Sequence, residues 1–211
     1  MGVVSQIRLV LASASDARLR TLRGAGLDPE VIVSGVDEDS EAVDGVRELT
    51  ARLAQLKAEA VSARIDHGPE TTVVVGCDSM LELDGMGYGK PGTPAEAAER
   101  WQRMSGRFGL LHTGHHVTLH QGKATIARTA VASTLVHFAE LTDEEIAAYV
   151  ATTEPLHVAG GFTVDGLGGP FIIGIEGDHH NVVGLSLPLL RTMLNELGIW
   201  WPRLWGISRD S

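Results

Sequence analysis

A carboxylate and a lysine follow an apolar stretch in the middle of the chain. Asp78 comes at the end of a β-branched run that begins at Thr72, and Lys90 follows twelve residues later between Gly89 and Pro91. Such a run bounded by glycine predicts a buried strand, and open α/β sheets bind ligands where their strands end. A base at a strand end, with a cation on a nearby loop, indicates chemistry on a phosphate or carboxylate ester.

A serine-rich turn near the N-terminus predicts an anion site. Residues 7–12 are typical of a strand, Ser15 or Asp16 of a helix N-cap, and Gly26 of a helix end. The N–H groups at a helix start have no partner within the helix and attract anions. The hydroxyl groups of Ser13 and Ser15 would add short neutral donors at the same place.

Residues 85–90 resemble a P-loop, but the pattern fails. Three residues separate Gly85 from Gly89 where four are needed, and Pro91 stands where Ser or Thr is required. Glycine is the commonest turn residue, so Gly85 and Gly87 predict a hairpin turn. Lys90 considered alone is typical of a solvated surface charge.

Two further kinds of chemistry are weakly indicated. His112, His115 and His116 lie close together with His179-His180 later in the chain, but zinc needs three or four converging ligands. A strand beginning at His115 would send His115 and His116 to opposite faces. Cys77 could be a nucleophile, yet its flanks are apolar, and cysteines in such surroundings are usually inert.

An acidic run at residues 37–41 is typical of a solvated loop. It gains importance only if it faces Asp78. Magnesium is commonly held by one or two carboxylates together with substrate phosphates, so a full cage of protein ligands is unnecessary.

Composition limits the class of protein. The chain has 211 residues, 44% hydrophobic content, one cysteine and a net charge of −10. One core is expected at this length, and no disulfide can form within the chain. The negative charge argues against nucleic acid as a partner, although a small polyanion needs only a local cationic pocket. With no signal pattern and no apolar run of about 18 residues, we expect a cytoplasmic protein and no membrane partner.

The remaining patterns alternate between strands and helices. Helices are predicted at 17–26, 47–64, 93–104, 142–151 and 187–197, and strands at 7–12, 31–33, 72–76, 80–83, 115–120 and 129–138. The last two strands predict an antiparallel ribbon. The class is therefore α/β or α+β, in one domain over residues 1–211 that could have two lobes.

These segments together resemble the Maf family of nucleoside triphosphate pyrophosphatases, in family order over about residues 8–198. The matching segments are 11–15 with Arg18, 36–38, 52–54 with 57–58, 76–79, 89–91, 105–107 with 113–114, 149–151 with 154–156, 166–169, 175–177 and 181–185.

The resemblance implies a fold and a reaction. The fold would be an elongated α/β mixed sheet, Maf/ITPase-like, with two lobes around a cleft. The reaction would be hydrolysis of a nucleoside triphosphate to the monophosphate and pyrophosphate, clearing non-canonical nucleotides. It would use a divalent metal cation, Mg²⁺ with Mn²⁺ or Co²⁺ as alternatives. A homodimer is left open.

The resemblance also implies residue roles. Asp78 matches the family's proton acceptor and a metal ligand. The other matches are to phosphate-site and metal-site positions, with Glu38 as the second metal ligand: Ser13, Arg18, Glu38, Lys57 and Lys90.

Three positions depart from the family pattern and leave the base unassigned. Ala17 stands where Arg or Trp is usual, Ser79 where Thr or Gln is common, and Asp165 where Gln or Glu is expected. Asp165 would accept from base N–H groups and so favour guanine or cytosine over uracil or thymine. Its simpler interpretation is a turn residue before Gly166.

Two other functions remain as alternatives. One is a non-catalytic nucleotide-binding regulator of cell division, which the historical family name suggests; the other is a nucleotidyltransferase. A panel of triphosphates with Mg²⁺ separates them, because a regulator would show no turnover and a transferase would need an acceptor.

Overall fold

The computed structural model describes residues 7–37, 44–66, 68 and 70–205. Within these residues one mixed sheet has the strands β1 (Ile7–Leu11), β2 (Glu30–Val31), β3 (Thr71–Leu83), β4 (Met86–Tyr88), β5 (Phe108–Gln121), β6 (Ala124–Phe138) and β7 (Ile172–Glu176). The strand order is β2-β1-β3-β5-β6-β7, with β4 paired to β3. β1 is parallel to β2 and β3, while the other pairs are antiparallel. The predicted α/β class with a mixed sheet is confirmed.

Six α-helices cover this sheet in the described residues. They are α1 (Asp16–Gly24), α2 (Val46–Ser62), α3 (Pro94–Met104), α4 (Asp143–Ala151), α5 (His179–Val183) and α6 (Leu187–Glu196). The expected start signals operate: Ser15 caps α1 by accepting from the Arg18 N–H, and Thr93 and Thr142 form capping boxes.

The prediction that Asp78 ends a strand is wrong. β3 is one continuous strand of 13 residues, so residues 72–76 and 80–83 do not form separate strands. Its parallel partner β1 stops at the Leu11–Val75 pair, whereas antiparallel β5 accompanies β3 as far as the Glu82–Leu110 pair. Asp78 therefore lies just beyond the end of the parallel pair and keeps β5 beside it. Backbone pairing on that one side is enough to continue the strand.

The antiparallel ribbon is confirmed, but its bounds are wrong. β5 begins at Phe108 and β6 at Ala124, before the predicted 115 and 129, because the two strands pair over their full length. The hairpin turn at Gly85 is confirmed by the Leu83–Met86 pair. The strand predicted at 31–33 is reduced to Glu30–Val31.

Two apolar clusters form the two lobes. The larger packs α1 and α6 against β1, β3 and β5 around Leu11, Leu22 and Leu190. The second packs α3 and α4 against β3, β5 and β6, where Trp101 makes edge-to-face contacts with Phe138. A cleft separates the two clusters.

Two glycines let α2 lie directly on the sheet. A Cβ atom at Gly76 would collide with the Ala54 carbonyl oxygen, and one at Gly114 with the Thr50 carbonyl oxygen. A side chain at either position would force the helix away from the sheet. The close approach brings the middle of α2 next to β3, which positions Lys57 for the site described below.

Candidate active site

The cleft between the lobes has a volume of about 600 Å³ and collects the residues singled out from the sequence. Nine of the ten predicted site residues line it: Ser13, Ser15, Ala17, Arg18, Lys57, Asp78, Ser79, Lys90 and Asp165. The tenth, Glu38, lies outside the described residues. Residues spread over 150 positions thus share one cavity.

A buried ion pair forms part of the cleft floor. The Lys57 Nζ atom donates to Asp78 Oδ1 at 2.5 Å, and the two residues are only 7% and 4% exposed. Two charges can be buried in this way when each offsets the other. The lysine keeps the carboxylate in the ionised form that a general base requires.

Arg18 is held rigidly beside this pair. Its guanidinium donates to the Gly184 carbonyl at 2.7 Å, to Ser13 Oγ at 3.1 Å and to Ser79 Oγ at 3.0 Å. Three acceptors on three different segments fix the plane of the group. A guanidinium fixed in this way is suited to bidentate contact with phosphate.

A hydrogen-bond chain continues from Ser79 into the second lobe. The Ser79 and Thr113 hydroxyls lie 2.9 Å apart, and Thr113 donates to the Asn181 carbonyl at 3.1 Å. The Asn181 side chain in turn donates to the Leu111 carbonyl at 3.0 Å. Thr113 and Asn181 belong to segments of the family resemblance, but nothing local in the sequence indicated this supporting role.

The serine turn is arranged to present hydroxyl donors. Ser13 Oγ accepts from the Ser15 N–H at 3.1 Å and from Arg18, and Ser15 Oγ accepts from the Arg18 N–H at 3.4 Å. Because both oxygens accept within the protein, each hydroxyl proton is available to donate to an anion at the start of α1.

Lys90 lies on an anchored loop, although its side chain is exposed. The preceding carbonyl, that of Gly89, accepts from the Arg100 guanidinium at 2.5 Å and from the Gly160 N–H at 3.0 Å. The cation therefore extends over the cleft from a fixed backbone.

The wall opposite α1 is organised by Glu154. Its carboxylate accepts from the Tyr149 hydroxyl (2.9 Å), the Thr163 hydroxyl (2.6 Å) and the N–H groups of Leu167 and Gly168 (3.0 and 3.1 Å). Burial acts to raise the pKa of Glu154, but these hydrogen bonds together lower it below its ordinary value. An ionised carboxylate thus holds the loop that carries Asp165.

Cys77 and the histidines take no part in this site. Burial raises the pKa of the Cys77 thiol to about 11, which keeps it protonated and poorly nucleophilic. Burial lowers the pKa of His115 to about 4, and its Nε2 accepts from the Ser186 N–H at 2.9 Å. His116 faces the other side of the sheet and contacts Thr129. The histidine string therefore does not converge on a metal.

Fold and site together define a class of protein: a mixed α/β hydrolase of polyanions, with a carboxylate base and several cations in one cleft. The comparisons make this specific. Residues 8–197 match the family model described as Maf, Maf-like protein. The chain belongs to the Maf family.

Relatives of high identity cover nearly the whole chain. A protein of Salinispora tropica is 56% identical over 94% of this chain and 88% of its own length, and one of Streptomyces avermitilis is 54% identical over 94% of both. Each is named nucleoside triphosphate pyrophosphatase. The Ham1 protein of Staphylococcus aureus is 14% identical with a TM-score of 0.45, over 90% of this chain and 99% of that one.

Membrane insertion finds no support in the helices. Among the described residues, no helix combines the length and the apolar character that a bilayer span requires.

Proposed function

We propose that this protein hydrolyses nucleoside triphosphates to the nucleoside monophosphate and pyrophosphate. The observation that carries the proposal is the buried Lys57–Asp78 pair on the floor of a cleft that Arg18 and Lys90 also line. Two of the three lysines in a chain of net charge −10 are used there. The names of relatives 50–56% identical support the same reaction.

Asp78 is the proposed general base. Its carboxylate would take a proton from a water that attacks the α-phosphorus, and pyrophosphate would leave as the α–β anhydride bond breaks. A base must be ionised and within hydrogen-bond reach of that water. The Lys57 contact favours ionisation and, because it is made through Oδ1, orients the carboxylate.

The cations would neutralise the triphosphate as its charge shifts towards the leaving group. Arg18 offers a planar fork, Lys90 a point charge above the cleft, and Ser13 and Ser15 neutral donors near the start of α1. Electrostatic stabilisation by groups that are already in position is commonly the largest catalytic contribution. The three anchors of Arg18 supply that preorganisation.

The donor set suits a hard divalent cation. Asp78 supplies a carboxylate at the place where the phosphates would lie, and Mg²⁺ needs only one or two such ligands besides phosphate and water. Glu38 is the proposed second ligand. When bound, the ion would neutralise phosphate charge and polarise the reacting phosphoryl group; Mg²⁺ is proposed, with Mn²⁺ or Co²⁺ as substitutes.

This reaction draws on intracellular nucleotides, so the proposed location is the cytoplasm and the proposed role is removal of non-canonical nucleotides. The homodimer stays a prediction.

The test is an assay of purified protein with a panel of triphosphates and Mg²⁺, in which monophosphate, diphosphate, pyrophosphate and orthophosphate are separated by ion exchange. We expect monophosphate and pyrophosphate in equal amounts, and no product after EDTA. Orthophosphate appearing first with nucleoside diphosphate would contradict the proposal. Turnover that requires an acceptor would indicate the transferase, and nucleotide binding without turnover the regulator.

A further inference from the structure

A guanidinium and a carboxylate face each other across the rim of the cleft. Arg20 projects from α1 in one lobe, Asp165 lies on the wall that Glu154 organises, and Arg20 Nη2 is 3.9 Å from Asp165 Oδ2. Their side chains are 68% and 45% exposed, which leaves both accessible to a ligand. An exposed pair at this separation contributes little to stability, so the stability of the fold does not explain it.

The depth of the cleft indicates which part of a substrate would reach this pair. The groups suited to phosphate lie at the floor, where Arg18, Lys57 and Asp78 are all below 10% exposed. If the proposed function holds, a triphosphate bound at the floor directs its nucleoside towards the open rim. The inference rests on that proposed function and extends it to the base.

Helical geometry explains why Arg20 can act here. Arg20 follows Ala17 by three residues on α1, so the two share one helix face, and both line the cleft. The methyl group of Ala17 leaves the space above it open to a longer neighbour. Arg20 thus supplies the guanidinium that the sequence lacks at Ala17.

Asp165 is held ready for the same purpose. Glu154 receives hydrogen bonds from Thr163 on one side of Asp165 and from Leu167 and Gly168 on the other. The backbone around Asp165 is therefore fixed before any ligand arrives, which reduces the entropic cost of binding.

We propose that Arg20 and Asp165 read the base and select guanine. Guanine presents two adjacent N–H donors, N1–H and N2–H₂, next to the acceptor O6 on a single edge. The Asp165 carboxylate would accept from the two donors while Arg20 donates to O6. Uracil and thymine would turn carbonyl oxygens towards the carboxylate, and adenine and cytosine offer a single amino group beside a ring-nitrogen acceptor.

The test compares kcat/KM for GTP, CTP, ATP, UTP and dTTP in the wild type, Arg20→Ala, Asp165→Asn and Arg23→Ala. Arg23 is the matched control, because it lies on the same helix but pairs with Asp28 at 2.9 Å. One discriminating bidentate contact changes a ratio by about 5- to 150-fold. We expect wild type to prefer GTP over UTP by at least about tenfold, and Arg20→Ala and Asp165→Asn each to lower that ratio about tenfold. Arg23→Ala should leave it unchanged.

Specific outcomes would overturn the inference. If either variant lowers kcat/KM equally for all five nucleotides, or leaves the GTP/UTP ratio unchanged, the pair does not read the base. Calorimetric titration of GTP and UTP into the same proteins in the presence of EDTA gives a readout that does not need turnover. Wild type that fails to hydrolyse every nucleotide but binds GTP more tightly through Arg20 and Asp165 would refute the proposed function and support base recognition.

Discussion

The Lys57 ammonium group lies 2.5 Å from the Asp78 carboxylate, and this contact joins the middle of α2 to the middle of β3. Neither residue could be buried alone without a large desolvation cost, so each makes the position of the other possible. The contact also links folding to chemistry, because the proposed base receives its counter-ion only after the helix has packed on the sheet.

Replacing Asp78 with Asn should abolish most of the activity. Asparagine keeps the shape of the side chain but cannot take up the proton, and loss of a general base typically costs about 10²–10⁴-fold in rate. We expect kcat to fall by that factor while nucleotide binding, measured by calorimetry, persists.

Asp84→Asn is the matched control for that experiment. Asp84 lies just beyond the same strand but is exposed and pairs with Arg107. Because Asp78→Asn leaves the Lys57 charge without its partner, thermal unfolding of both variants should be recorded as well. Activity of a folded Asp78→Asn protein within a few-fold of wild type would exclude Asp78 as the base.

Arg18 and Ser79 should respond differently to substitution. Arg18→Ala removes a charge-assisted phosphate contact, and we expect a loss of about 1.5–3 kcal/mol in transition-state stabilisation, measured as kcat/KM. Ser79→Ala removes one of three anchors of the guanidinium, so about 0.5–1.5 kcal/mol is expected. A larger effect for Ser79→Ala than for Arg18→Ala would show that Ser79 acts on the substrate directly.

Lys90→Ala should weaken catalysis without affecting stability. The side chain is exposed on an anchored loop and makes its proposed contact only with substrate, so the melting temperature should not change. We expect kcat/KM to fall by about tenfold or more, as for loss of one charged hydrogen bond. Lys123→Ala, at the exposed β5–β6 turn, is the control. Equal kinetics for the two variants would remove Lys90 from the phosphate site.

Glu154→Gln should destabilise the protein in a pH-dependent way. Because the pKa of Glu154 is lowered in the folded state, the unfolded chain binds its proton more readily. The stabilisation is therefore complete above the ordinary carboxyl value of 4.5 and is lost as the pH falls through the lowered folded value. Denaturant unfolding at pH 7 should show a loss of about 1–3 kcal/mol that shrinks below about pH 4.5.

Glu144→Gln tests whether that effect is specific. Glu144 is exposed in the first turn of α4, so its substitution should change the unfolding free energy by at most about 0.5 kcal/mol. A difference between wild type and Glu154→Gln that stays constant from pH 7 to pH 3 would mean that ionised Glu154 does not hold the loop.

Local signals in the sequence predicted those features that depend on neighbouring residues. Ser15, Thr93 and Thr142 cap their helices because an N-cap needs only a hydroxyl and an N–H two or three residues further on. The turn at Gly85 forms because glycine adopts a positive φ at little cost. The ordered series of family segments predicted the class of reaction, since a site is assembled from the same segments throughout a family.

Features that depend on distant partners were decided by tertiary structure. β3 continues through Asp78 because β5, more than 30 residues away, supplies backbone partners that no local pattern reveals. Thr113 and Asn181 support Ser79 through hydrogen bonds across the two lobes. Arg20 meets Asp165 only because packing brings α1 opposite the Glu154-held wall. The sequence by itself determined which groups were available for chemistry. The distances and burial that turn these groups into a site arise from long-range packing, to which local sequence carries no direct signal.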